Sequence, residues 1–150
     1  PILLLIHMPV RPSRIYMWSC AMAGMHALEA YHHADAVSDE NTLRDDGRIN
    51  TFMEQTDFHK MKPRDDLAAG STKWLLANPG KSYIAYTYDY SGPMGVRGMT
   101  AGTYDLKWFD TTDGDMVIQA AVSVPPGNVT WTKPDSLSRE IALYIKRIGD

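Results

Sequence analysis

The side chains in this sequence best suited to chemistry are its carboxylates, its histidines and its aromatic rings. Asp110, Asp113 and Asp115 lie within one short segment, and Asp45-Asp46 and Asp65-Asp66 are adjacent pairs. Acid and base catalysis on a glycosidic bond needs two carboxyl groups held about 5 to 10 Å apart across a bound sugar. Asp110, Asp113 and Asp115 instead flank a turn, where Asp is favoured for bonds to its own backbone, so turn chemistry is their expected role. That loop could offer oxygens to calcium, but its spacing departs from the EF-hand pattern. His26, His32 and His33 with Glu29 and Asp35 are the nearest approach to a metal-ligand set. Adjacent residues on a helix face different ways, and no H-E-x-x-H arrangement is present, so a solvated helix end is expected there. No P-loop, nucleophile elbow or dinucleotide fingerprint occurs, and no metal or cofactor is expected.

Four tryptophans and eight tyrosines give the chain a second kind of chemistry. Flat rings can stack on sugar faces while neighbouring polar groups bond the hydroxyls. The candidates for an exposed row are Trp74, Tyr83, Tyr88, Tyr90, Trp131 and Tyr144. Alternation along the strands assigns Trp108, Tyr104 and Tyr86 to the core instead.

These groups must be positioned by an α+β chain: an N-terminal strand and two helices, then an antiparallel β-sandwich, with residues 1–68 helical and 69–150 the sandwich module. The aliphatic run Ile2 to Ile6, ended by Pro9 and Pro12, reads as a short strand. Ser13 can cap a helix reaching about residue 30, with Ile15, Trp18, Met22 and Met25 at helical spacing. A second helix is expected from about Asn41 to Phe58, with a stripe of Leu43, Ile49, Phe52 and Met53, and with Gly47 as a point where it could divide. From residue 71 the period becomes two, and strands are predicted near 72–78, 82–90, 94–99, 103–110, 116–124, 128–132 and 139–147, each with one core face. Ile84, Tyr86, Tyr88 and Tyr90 share one side of the second of these; Tyr83, Ala85, Thr87 and Asp89 share the other.

At 150 residues the chain suits one domain with a helical appendage, and a net charge of −3 with scattered basic residues argues against nucleic acid and anionic membranes as partners. The single cysteine, Cys20, excludes an intrachain disulfide and reads as a small buried hydrophobe. The chain starts at Pro1 with an apolar run that lacks a basic flank and is too short to span a bilayer, and a processed, trimmed or fragmentary product is expected.

Two stretches carry a family resemblance. Trp74-Leu75-Leu76-Ala77-Asn78-Pro79-Gly80-Lys81-Ser82-Tyr83-Ile84-Ala85-Tyr86 is followed by Gly102-Thr103-Tyr104-Asp105-Leu106-Lys107-Trp108-Phe109-Asp110. A strand, an Asn-Pro-Gly turn, an aromatic strand and then Gly-x-Tyr-x-x-x-Trp-Phe-Asp resembles the C-terminal domain of apiosidase-like glycoside hydrolases, a domain that carries a collagen-binding label. The resemblance runs from Arg11 to about Ile148: Arg14-Ile15-Tyr16-Met17-Trp18 with Ala23-Gly24 is similar to the last helix of the catalytic barrel, and Met61-Lys62-Pro63 with Leu67 to the linker into the sandwich.

The resemblance implies a chain without most of its barrel. Where such enzymes carry an acidic residue after a barrel strand, this sequence reads Pro1 to His7 with no carboxylate. It implies no catalytic residue of its own, Glu29, Tyr31 and His32 at what would be the barrel rim, a polysaccharide or oligosaccharide partner, and a secreted or periplasmic location. The expected function is a non-catalytic accessory or carbohydrate-binding module of a polysaccharide-degrading enzyme. The alternatives are a glycoside hydrolase that acts alone or completes its site by oligomerising, and a purely structural brace. With Ile2 to Ile6 and the Ile15, Trp18, Met22 and Met25 face deprived of a barrel, a homodimer formed through the N-terminal third is also expected.

Overall fold

The computed structural model describes residues 14–25 and 40–149. The expected strand at residues 2–6, the Ser13 cap and the side chain of Leu43 lie outside the described residues. Two helices come first, α1 (Arg14–Met22) and α2 (Glu40–Glu54), followed by nine strands. The strands are β1 (Lys62–Pro63), β2 (Ala68–Gly70), β3 (Trp74–Asn78), β4 (Ser82–Thr87), β5 (Met94–Met99), β6 (Gly102–Asp110), β7 (Met116–Val124), β8 (Gly127–Trp131) and β9 (Ile141–Ile148). Six of them form an antiparallel sheet in the order β1-β3-β4-β9-β6-β7, and β2-β5-β8 form a second sheet packed against it. The fold is α+β with a β-sandwich.

Helix α1 stops well short of residue 30. Gly24 adopts φ +81°, Met25 N–H reaches the Cys20 carbonyl at 3.2 Å, and Gly24 N–H reaches that of Ala21 at 3.1 Å. This pair of bonds around a left-handed glycine is the Schellman motif, which satisfies the last carbonyls and ends the helix. Helix α2 runs undivided through Gly47. The sheet itself begins earlier than expected, since Lys62 and Pro63 pair with Ala77 and Leu76. The β3–β4 hairpin closes with Lys81 N–H on the Asn78 carbonyl at 3.0 Å, with Pro79 and a positive-φ Gly80 at its centre, as a type II turn requires.

The expectation of one core face per strand is corrected in the middle of the large sheet. All six residues of β4 are buried. Tyr83 and Ala85 join Tyr104, Leu106, Trp108, Leu143 and Ile145 between the two sheets. Ile84 and Tyr86, with Leu76, Phe109, Ala142 and Tyr144, lie under the helices, packed with Met17, Trp18, Met22, Ile49, Phe52 and Met53. The molecule therefore has three layers, helices on sheet on sheet, and its central strands are covered on both sides. Trp18 and Met22 are buried against the sheet and Cys20 is buried as foreseen, so of the large apolar side chains of α1 only Ile15, 38% exposed, is open. The sheet itself covers this face of α1, so Trp18 and Met22 present no open apolar surface for pairing with a second copy.

Candidate functional site

Where α1 meets the sheet, a polar cluster is set into the apolar layer. Glu140, in the residue before β9, shares the parity of Ala142 and Tyr144 and so points toward the helices. Arg14 at the start of α1 meets it with two bonds, Nε to Oε1 and Nη2 to Oε2, both 2.9 Å. Thr111 Oγ1 donates to Oε1 at 2.6 Å, and the Tyr86 hydroxyl donates to the same oxygen at 3.2 Å. Asp45 of α2 lies 3.6 Å from Arg14 Nη1 and accepts from Arg48 Nη1 at 3.0 Å. Burial, then the adjacent Glu140 carboxylate, push the Tyr86 hydroxyl well above the ordinary tyrosine range, so it serves as a protonated donor. The bonds that Arg14 donates to Glu140 hold its guanidinium all the more firmly charged. Both Glu140 oxygens are thus occupied by donors from α1, β4 and the residue after β6.

A second cluster ties the loop after α2 to the sheet. Asp57 accepts from the Tyr144 hydroxyl at 2.8 Å, from Lys146 Nζ at 2.9 Å and from Ser82 Oγ at 3.0 Å. Burial alone would raise its pKa; the three donors and the Lys146 charge outweigh that and hold it at about 2.

Beside these clusters runs an aromatic stack. Trp18 lies over Tyr86 with centroids 5.2 Å apart and planes 9° from parallel, Tyr86 stacks with Trp74 at 5.8 Å, and Trp74 meets Tyr88 at 5.6 Å. The series leads from the buried helix to the surface, where Tyr88 is 40% exposed and Lys73 Nζ sits 5.7 Å from its ring centre. Among the described residues Trp18 Nε1 has no hydrogen-bond partner.

The six aromatic residues expected to form one row are separated by the central sheet. Trp74 and Tyr88 stand together at its helical side. Tyr90 and Trp131, half-buried, pack against the sandwich core on the opposite side. Tyr90 leaves the parity of β4 because that strand ends at Thr87, whose Oγ1 accepts the Asp89 N–H as the chain turns. Its ring faces Lys133 Nζ at 5.3 Å, and its hydroxyl accepts the Lys133 N–H. Tyr83, 1% exposed, and Tyr144, 8% exposed, cannot belong to a surface row. Each hydroxyl is engaged internally, that of Tyr83 accepting the Gly80 N–H at 2.8 Å and that of Tyr144 donating to Asp57.

The acidic groups take up structural duties. Asp110 accepts from the N–H and hydroxyl of both Thr112 and Ser138, and these bonds outweigh its burial and lower its pKa. Asp113 accepts the Asp115 N–H at 2.8 Å, as turn chemistry predicts. Asp65 caps the Leu75 N–H, and Asp66 pairs with Arg64. Glu29, Tyr31 and His32, together with His26, His33 and Asp35, lie outside the described residues. Among the described residues no group of three His, Cys, Asp or Glu side chains converges. Sequence reasoning missed Arg14, Asp57, Thr111 and Glu140. The available signal was a lone acidic residue in phase with the helix-facing positions of a strand.

Comparison with known proteins gives a likeness of fold. No protein-family model matches the chain, and no curated protein matches it. Among solved structures, a glycoside hydrolase family 5 protein from Bacteroides vulgatus ATCC 8482 superposes with a TM-score of 0.64 at 14% identity, covering 89% of this chain and 35% of that one. A second structure, described as a glycoside hydrolase, has a TM-score of 0.56 at 14% identity, covering 83% of this chain and 31% of that one. The chain therefore spans about a third of the length of these structures and shares the fold of that portion of each.

Proposed function

We propose that the chain is a non-catalytic accessory module of a glycoside hydrolase-like protein, in which the sandwich braces the catalytic part. The observation that carries this reading is the extent of the likeness: helices and sandwich match together over 89% of this chain but over only 35% of the larger protein. The Arg14–Glu140 bonds support it, since a helix that would close a barrel is here fixed to the sheet by a charged, two-point contact. The use of Glu140 and Asp110 in internal hydrogen bonds supports it too, because a glycosidase pair needs two carboxyl groups that face each other across a bound sugar. The collagen-binding label of the resembling domain is not carried over.

A second reading, weak carbohydrate binding, is favoured by the Trp74–Tyr88 corner, where an exposed ring is backed by a stack. It goes with a polysaccharide or oligosaccharide partner and a secreted or periplasmic location. One set of assays separates the readings. Incubated with aryl glycosides and with plant and algal polysaccharides, the chain is expected to show no turnover. Turnover that stays with the protein through purification and is abolished by Glu140→Gln or Asp110→Asn in a folded variant would overturn the proposal. In affinity electrophoresis a brace is not retarded by any polysaccharide, whereas retardation that Tyr88→Ala relieves selects the second reading.

A further inference from the structure

Strand β7, Met116 to Val124, is one edge of the six-stranded sheet and, among the described residues, pairs only with β6. Its nine residues, Met-Val-Ile-Gln-Ala-Ala-Val-Ser-Val, include no charge, no proline and no glycine. Natural sheets usually blunt an edge with a lysine, a proline or brevity, because its outer N–H and C=O groups are open to another strand. Two of the other edges here are blunted by brevity: β1 has two residues, one of them Pro63, and β2 has three. Ile118, in the middle of the open stretch, is 60% exposed.

The regular part of this edge has defined limits. Register with β6 shifts between Tyr104 and Leu106, so that Ala120 and Ala121 together oppose Asp105. Ala121 takes φ +54° and gives its N–H to Asp105 Oδ1 at 2.8 Å. Such a bulge bends the strand and ends flat pairing. What remains is Met116 to Ala120, five residues with the exposed Ile118 at their middle.

We propose that this edge pairs antiparallel with the same edge of a second copy, on a two-fold axis through Ile118. In that register Ile118 meets Ile118, Met116 meets Ala120 and Val117 meets Gln119 of the other copy. Asp115 falls opposite Ala121 rather than another Asp115, so no like charges are brought together. The contact is isologous and uses each β7 once, so it closes as a dimer instead of growing into a fibre. Five residues of pairing make a small interface, which implies weak, concentration-dependent association.

Sedimentation velocity over roughly 1 to 300 μM tests this, with the variants Ile118→Lys and Ile15→Lys. The second variant places the same charge at the exposed position of α1. Both positions face solvent, and circular dichroism verifies folding of each variant. Wild type is expected to shift from monomer to dimer, Ile118→Lys to weaken the dimer at least about tenfold, and Ile15→Lys to leave it unchanged. Hydrogen exchange should slow at amides within 116–120 as concentration rises. A monomer throughout the range would overturn the proposal, as would a dimer that Ile15→Lys breaks and Ile118→Lys does not, or slowed exchange confined to another edge.

Discussion

The central sheet is covered differently on its two sides. Toward β2, β5 and β8 it meets an apolar layer built of Leu75, Tyr104, Leu106, Trp108, Leu143 and Ile145, in which the Tyr104 hydroxyl and the Trp108 Nε1 find local partners. Toward the helices it meets an apolar layer interrupted by ionic clusters at Glu140 and Asp57. Apolar packing tolerates many arrangements of similar volume. A two-point Arg–carboxylate contact tolerates one orientation. The sandwich side therefore supplies bulk stability, and the helical side fixes where α1 and α2 sit.

The largest test of that contrast is Trp108→Ala. Trp108 is fully buried between the sheets, its Nε1 donating to Gln119, and truncation should cost about 3 to 5 kcal/mol in urea unfolding. The loss should be global, lowering the transition midpoint seen by every probe. On the other side, Glu140→Gln removes the two-point counter-charge of Arg14 and leaves only Asp45, 3.6 Å away; a loss of about 2 to 3 kcal/mol is expected, below that for a fully enclosed pair because Arg14 keeps 29% side-chain exposure. Adding Arg14→Met to that variant should cost less than the two single changes together, by about 1 to 2 kcal/mol. If the losses simply add, the contact does not orient the helix.

A smaller effect concerns acid. The Asp57 pKa is lowered from near 4 in the unfolded chain to about 2 in the fold. Its stabilisation is thus complete above about pH 5 and is lost as pH falls through the folded value near 2. With Lys146 41% exposed, the contribution is about 1 to 2 kcal/mol. Asp57→Asn should show a flatter fall in stability between about pH 5 and pH 2 than the parent; an equal fall would mean that the three donors do not favour the charged form.

The strands were the most legible part of the sequence, because alternation over Ser82–Thr87, Gly102–Asp110 and Ile141–Ile148 marks both strand and faces. What alternation does not say is whether the second face is covered. Alternation alone therefore puts Tyr144 on the surface, although the loop after α2 lies over it, and Tyr83 outside, although its face looks into the sandwich. Strand β2 escaped notice because three residues ending in Gly70 carry no period; Gly70 is needed there, with φ +63° and space for a Cβ only 1.9 Å from the Pro93 carbonyl oxygen. The ionic clusters were illegible for another reason. Arg14 and Glu140 are 126 positions apart, and only the docking of a helix on the far end of the chain makes them neighbours.

The stack that runs from Trp18 through Tyr86 to Trp74 also makes the molecule its own optical instrument. Two of its three indole and phenol rings belong to the sheet, and the third belongs to the helix, so release of α1 would break the stack while leaving Trp108 enclosed between the sheets. The near-ultraviolet dichroism of coupled rings and the emission colour of a newly wetted indole would then report helix departure separately from sheet melting, without any attached dye.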